Sequence, residues 1–239
     1  MSNRNRAVFP AVVALAAALV AAVIVGVQVL TSGGGGASGG TGGTDAAEGP
    51  PDGWQQLVRA EPGDPMARGD VDAPVVLIAY SEFQCPFCGK FARDTEPELV
   101  EEYVDEGILR IEWKDFPYLG PESHTAALAG RAAAEQDAFW AFHDAMYADQ
   151  LPPNSGDLDE DHVAAVAEDI GLDVDRFLED MRSDAAERAV DRDFAEGQAI
   201  GVTGTPTFVV NGVPVVGAQP IDVFRQVIED EAAKAGAGG

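Results

Sequence analysis

The chain has 239 residues, 41 acids against 15 bases, a formal net charge of −26 and two cysteines. So acidic a surface repels nucleic acid and anionic lipid headgroups, which excludes nucleic-acid binding as a function. The acids are spread along the chain without a local cluster, so they read as a solvated surface suited to high salt and not as a binding site.

The first element is VFPAVVALAAALVAAVIVGVQVL, Val8 to Leu30, which carries no charge. As a helix, about 23 residues at roughly 1.5 Å each span about 34 Å, enough to cross a bilayer with some tilt. Arg4 and Arg6 precede it and the next base is Arg59, so residues 1–7 are expected in the cytoplasm and everything after Leu30 outside. A cleaved signal peptide is the rival reading, but such apolar cores usually run only about 7–15 residues. The expectation is a single-pass signal-anchor helix in the cell membrane; either version exports the rest. Residues 31–53, TSGGGGASGGTGGTDAAEGPPDG, hold no core-forming side chains and read as a flexible Gly-rich linker with a reach of about 25 Å. Residues 54–239 suffice for one domain with a sizeable core.

Within that domain, APVVLIAY (73–80) is a short apolar run and predicts a buried central strand. A helix should follow from Pro86 to a glycine stop at Gly107, either kinked at Pro97 or re-capped by Thr95 with Glu98 in capping-box spacing. ILRIEWKDF (108–116) alternates apolar and charged residues, a strand pattern. The middle is helical. One segment starts at Ser123 as N-cap and runs through FWAFHDAMYAD, a second stops at Gly171, and a third spans residues 173–201 with Val174, Phe177, Leu178 and Met181 at helical spacing. TPTFVV (205–210), a turn at Asn211-Gly212 and VPVVG predict a hairpin, and a closing helix carries Ile221, Phe224, Val227 and Ile228 on one face. Pattern alone thus gives β-α-β, a helical block, then β-β-α, an α/β fold.

The two cysteines, Cys85 and Cys88, stand in SEFQCPFCGKF at the predicted junction of strand and helix. A structural disulfide between them would close almost no loop and so stabilise little. Zinc needs three or four ligands, and only His124, His143 and His162 are on hand, none in paired spacing. Reversible redox chemistry fits best. At a helix N-terminus, unsatisfied N–H groups and the helix dipole favour thiolate at Cys85, while Cys88, one turn on and less exposed, can resolve a mixed disulfide. Pro86 suits the first turn, where its missing N–H costs nothing. Pro206, directly before a strand, is either an ordinary trans proline or a cis proline that turns the Thr205 backbone towards an extended substrate.

The stretches SEFQCPFCGKF, DFPYLGPESHTAALAGRAA, FWAFHDAMYADQ and GVTGTPTFVVNGVPVVGAQP, in this order over about residues 70–230, resemble the DsbA-like branch of the thioredoxin superfamily, in particular its membrane-tethered oxidoreductases. The resemblance implies a thioredoxin-like fold with a helical insertion at about 117–200, Cys85 as nucleophile, Cys88 as resolving cysteine, Pro206 in cis and Thr205 tuning the pair. It implies exported protein thiols as substrates and a membrane quinone-linked redox partner. No bound cofactor is expected, since the cysteine pair carries the electrons. Three positions depart from the pattern. Many relatives carry a buried acid six residues before the first cysteine, where this chain has Ala79. Glu82, three before Cys85, is either a substitute proton-transfer group or a surface acid of a very acidic protein. Phe87 stands where the strongest oxidants of the family have His, and gives the thiolate no charge. Trp140 and His143, in FWAFHDAMY, read as core packing. The expected function is extracytoplasmic oxidation of cysteine pairs; the alternatives are a reductase or isomerase, as in cytochrome or copper-site maturation, and a non-catalytic binding or chaperone domain.

Overall fold

The structure is a computed structural model that describes residues 53–237. The expected membrane helix at Val8–Leu30, and the linker as far as residue 52, lie outside the described residues. Among the described residues no helix is long and apolar enough to cross a membrane.

Five strands form one mixed sheet: β1 (Ala67–Arg68), β2 (Val75–Ser81), β3 (Leu109–Asp115), β4 (Thr207–Val210) and β5 (Val213–Val216). Their spatial order is β1-β3-β2-β4-β5. β2 and β3 run parallel and the other neighbours antiparallel. β2 is central because its apolar run can be covered on both faces. Leu77 and Ala79 pack with Phe91, Phe208, Phe224 and Ile228, while Ile78 and Tyr80 pack with Phe116, Val202 and Val209. Each large side chain so buried contributes about 1.5–3 kcal/mol. The β4–β5 hairpin turns at Asn211 and Gly212, both with positive φ (45° and 90°), the geometry for which Asn-Gly is suited. Asn211 also ties the hairpin to β2, accepting from Val76 N at 2.8 Å.

Helices α1 (Pro86–Asp94) and α2 (Glu96–Leu99), with a wider turn over Val100–Val104, lead from β2 to β3. Between β3 and β4 stand α3 (Pro121–Ala134), α4 (Phe139–Ala148), α5 (Glu160–Asp169), α6 (Val174–Met181) and α7 (Asp184–Ala199); α8 (Ile221–Ala237) closes the domain. The helical insertion therefore divides more finely than the sequence pattern indicates. The segment from Ser123 breaks at residues 135–138, where Asp137 takes φ 56°. The segment from 173 breaks before Ser183, whose hydroxyl accepts from Ala186 N at 3.1 Å and starts a new helix. Ser123 is not an N-cap: Gly120 holds that position with Pro121 in the first turn, and the Ser123 hydroxyl is turned to the cysteine motif instead. Thr95 separates α1 from α2, but its side chain makes no capping bond.

β3 alternates apolar and charged residues, and all seven of its residues are buried. Arg110 donates to Glu112 at 2.9 Å, Glu112 accepts from Arg59 N at 2.9 Å, and Lys114 pairs with Glu196 of α7 at 2.9 Å. The charged face is thus covered by the segment entering the domain, through backbone hydrogen bonds to Glu112 and Arg110, and by α7, through the ion pair to Lys114. α7 approaches closely because Gly197 has no side chain; a Cβ there would lie 2.8 Å from Phe116 Cδ2 and 3.0 Å from Tyr80 Cδ1. Gly197→Ala is therefore expected to destabilise the domain by about 1–3 kcal/mol, the usual cost of overpacking, despite the better helix propensity of alanine. Urea unfolding of the variant beside wild type measures this.

Candidate active site

β2 ends at Ser81, and Glu82, Phe83 and Gln84 carry the chain into Cys85, the N-cap of α1. Side chains from the helical insertion hold this junction. Gln150 donates to Phe83 O at 2.8 Å and to Cys85 O at 3.0 Å. Gln84 donates to Ser123 Oγ at 2.8 Å and accepts from Asn154 N at 2.6 Å. Tyr147 donates its hydroxyl to Glu82 O at 2.9 Å. Beneath the motif the Phe83 ring stacks on Trp113 at 5.1 Å and meets Tyr147 and Phe142 at 5.5 and 5.6 Å. Opposite stands the loop before β4, where the Thr205–Pro206 bond is cis. Cys85 Sγ donates to Thr205 O at 3.2 Å, so residues 120 positions apart in the chain meet at the sulfur.

Both cysteines are free thiols. The expected contrast in exposure is absent, since each shows only 2% of its surface. What differs is the company they keep. Cys85 has its pKa lowered from 9 to about 6, first by hydrogen bonding with Cys88, against the upward push of burial, and then by Thr205 and the backbone N–H groups of Phe87 and Cys88. Thr205 Oγ1 is buried and has no hydrogen-bond partner. Burial drives the Cys88 pKa well up, and the neighbouring Cys85 adds to it. One sulfur is poised to ionise and the other to stay protonated. Pro86 and Phe87 between them are exposed, Phe87 by 63%.

Glu82 is not a surface acid: it is 2% exposed. Oε2 accepts from the Ser123 hydroxyl and Oε1 has no partner. Burial lifts its pKa from 4.5 to about 7, opposed by the Ser123 hydrogen bond and reinforced by Cys85. His143, read from the sequence as packing, is buried between two carboxyl groups, with Nε2 3.5 Å from Glu96 Oε2 and Nδ1 2.7 Å from Asp144 Oδ1. The sequence reading did not single out Ser123, Tyr147, Gln150 or Glu96 as parts of this site. Ser123 and Tyr147 lie inside stretches that carry the family resemblance, but their contacts cross from the insertion to the strand end and leave no local spacing. Tyr118, exposed before α3, also belongs here; burial and then the charge of Cys85 raise its pKa.

A thioredoxin family model matches residues 61–230. The chain belongs to the thioredoxin family. A Bacillus cereus relative named probable disulfide bond formation protein D is 32% identical over 148 residues, covering 60% of this chain and 68% of that protein. Na(+)/H(+) antiporter NhaA 3 of Salinispora tropica is 36% identical over 158 residues, 65% of this chain but 23% of the antiporter, so the chain spans about a quarter of that relative's length. Among solved structures, BdbD from Bacillus subtilis (oxidised) superposes with a TM-score of 0.66 at 24% identity over 72% of this chain and 94% of that one, a likeness of fold. Within the family the described domain is DsbA-like, a thiol–disulfide oxidoreductase domain with its cysteine pair at the head of α1.

Because the lowered pKa governs thiolate content, alkylation of Cys85 by iodoacetamide should rise with pH through a midpoint near 6 and be nearly maximal by pH 8. Cys88 should stay unmodified over the same range and react only on unfolding. Mass spectrometry of digests separates the two; a Cys85 midpoint near 9 would contradict the geometry above.

Proposed function

We propose that this protein is a membrane-tethered oxidase of cysteine pairs in exported proteins, working through a Cys85–Cys88 disulfide. The observation that carries the reading is the split between the two sulfurs: Cys85 at a pKa of about 6 against Thr205 O beside Pro206, and Cys88 held protonated in the core. A substrate thiolate attacks Cys85 Sγ, the Cys85–Cys88 bond breaks, and Cys88 leaves with the electron pair. A second substrate thiolate then attacks the mixed disulfide, releasing Cys85 as the favoured thiolate and leaving the substrate oxidised. A membrane quinone-linked partner restores the disulfide. The relative named for disulfide bond formation supports the direction, and the uncharged run at Val8–Leu30 supports tethering outside the cytoplasm.

Magnitudes bear on the direction. At pH 7 the fall of the Cys85 pKa to about 6 favours the reduced form by roughly one pKa unit, about 1.4 kcal/mol or 30 mV for a two-electron couple. Phe87 adds no charge, which favours a milder oxidant than the strongest of the family, and leaves the reductase reading a specific observation in its favour. Equilibration of the protein with glutathione buffers should give a reduction potential above that of thioredoxin, about −270 mV, and below about −120 mV. A value at or below −270 mV would make the protein a reductase and reverse each step.

The reading also fixes what the two cysteines do separately. Cys88→Ser has no internal disulfide to pass on, but its Cys85 thiolate can attack the disulfide of an oxidised exported protein. With no Cys88 to displace that partner, the variant should hold it as a mixed disulfide, visible on non-reducing gels and lost on reduction, whereas Cys85→Ser should abolish turnover. Full function in both variants would favour a binding domain instead.

A further inference from the structure

Cys88 has a proton problem that Cys85 does not share. Its sulfur must gain and lose a proton in each cycle of the proposed oxidoreductase, on which this inference rests, yet it is sealed in the core. Beside it lies a cavity of about 10 Å³ lined by Cys88, Glu96, Trp140, His143 and Tyr147 among others, a size at the lower limit for one water. Tyr147 cannot serve as the proton exchanger, because burial drives its pKa well up and it keeps its proton.

Glu96 is differently placed. It is buried, and its Oε1 has no hydrogen-bond partner: Arg68 Nη1 comes within 3.4 Å without the alignment to donate. Trp140 Nε1 is likewise unpartnered. The residues that carry both orphaned atoms line the cavity together with Cys88, so a water there would have polar neighbours. Glu96 Oε2 faces His143 Nε2 at 3.5 Å, His143 Nδ1 faces Asp144 Oδ1 at 2.7 Å, and the Asp144 side chain is 62% exposed. The charged groups around Glu96 are Arg68 of β1 and His143 and Asp144 of α4, while Cys88 of α1 and Tyr147 of α4 line the same cavity. Glu96, His143 and Asp144 form a row that ends in solvent, and the cavity lies between that row and the buried Cys88.

We propose that Glu96 is the proton carrier of Cys88, and that His143 and Asp144 connect it to the surface. When the Cys85–Cys88 bond breaks under attack by a substrate thiolate, the electron pair stays on Cys88 Sγ. The Glu96 carboxyl proton passes to it, leaving Cys88 S–H and a Glu96 carboxylate, which regains a proton along the row. In the return direction Glu96 takes the Cys88 proton, the Cys88 thiolate attacks Cys85 Sγ of a mixed disulfide, and the partner sulfur leaves as thiolate. Burial raises the Glu96 pKa against the pull of His143 and Arg68, in keeping with a carboxyl that can hold a proton to give.

The test follows reaction of the full-length reduced protein with oxidised glutathione from pH 5 to 9, with acid quenching to resolve capture at Cys85 from closure by Cys88. In Glu96→Gln and Glu96→Leu, closure relative to capture should slow at pH 7 on the order of a hundredfold, the scale of a lost acid–base group. The inflection due to Glu96 should vanish from the closure profile, while thermal unfolding stays near wild type. A closure profile unchanged in both variants overturns the proposal. So does failure of both to fold, which would make the carboxylate structural. A wild-type protein that captures glutathione but never closes would instead overturn the oxidoreductase reading itself.

Discussion

The site depends on holding two sulfurs, three residues apart, in opposite protonation states. Cys85 is offered the Cys88 hydrogen bond, the open end of a helix and the Thr205 loop, which stabilise charge; at Cys88, one turn on, burial outweighs the hydrogen bonds from Ser81 and the Glu82 backbone. This division survives only if the junction between β2 and α1 cannot shift. Gln150, Gln84 and Tyr147 pin its backbone from the insertion side, and Phe83 anchors it from below in a stack with Trp113. The helical insertion is thus part of the active site's frame and not an ornament on a thioredoxin sheet.

The same insertion is fastened to the sheet by charge. In a chain with few bases, several are spent inside: Arg59, Arg110, Lys114 and Arg131 meet Asp64, Glu112, Glu196, Asp115 and Asp193 across β3 and its coverings. Desolvating such groups costs several kcal/mol each, and removing a single partner typically costs about 3–5 kcal/mol. The network therefore adds less net stability than its number of bonds implies, but it strongly specifies where α3 and α7 dock. That docking delivers Ser123 to Glu82 and brings Tyr147 and Gln150 to the cysteine motif.

Three buried groups around the pair can change charge: Cys85, Glu82 and, behind Cys88, Glu96. Glu82 touches Ser123, and Glu96 faces His143 beside the cavity that Cys88 lines. Ala79 lines that same cavity, so the core on this side holds its acid on α2 and not on β2.

Much of this was legible in the residues themselves. An apolar run, a CPFC motif with proline at the first helical position, an Asn-Gly turn and a Thr-Pro before a strand are local signals, set by backbone geometry and short-range sterics, and they fall on β2, α1, the hairpin and the loop before β4. Local pattern was silent where burial was decided elsewhere. The charged residues of β3 are covered by residues distant in sequence, and Glu82, indistinguishable from forty other acids in composition, became a buried acid only because α3 and α4 close over it. The sequence by itself singled out the two sulfurs proposed to do the chemistry and the element that presents them. Only the tertiary structure decided how those atoms ionise, because beyond the local Cys85–Cys88 hydrogen bond a pKa depends on desolvation and on distant partners, Thr205 for Cys85 and Ser123 for Glu82, which no spacing along the chain encodes.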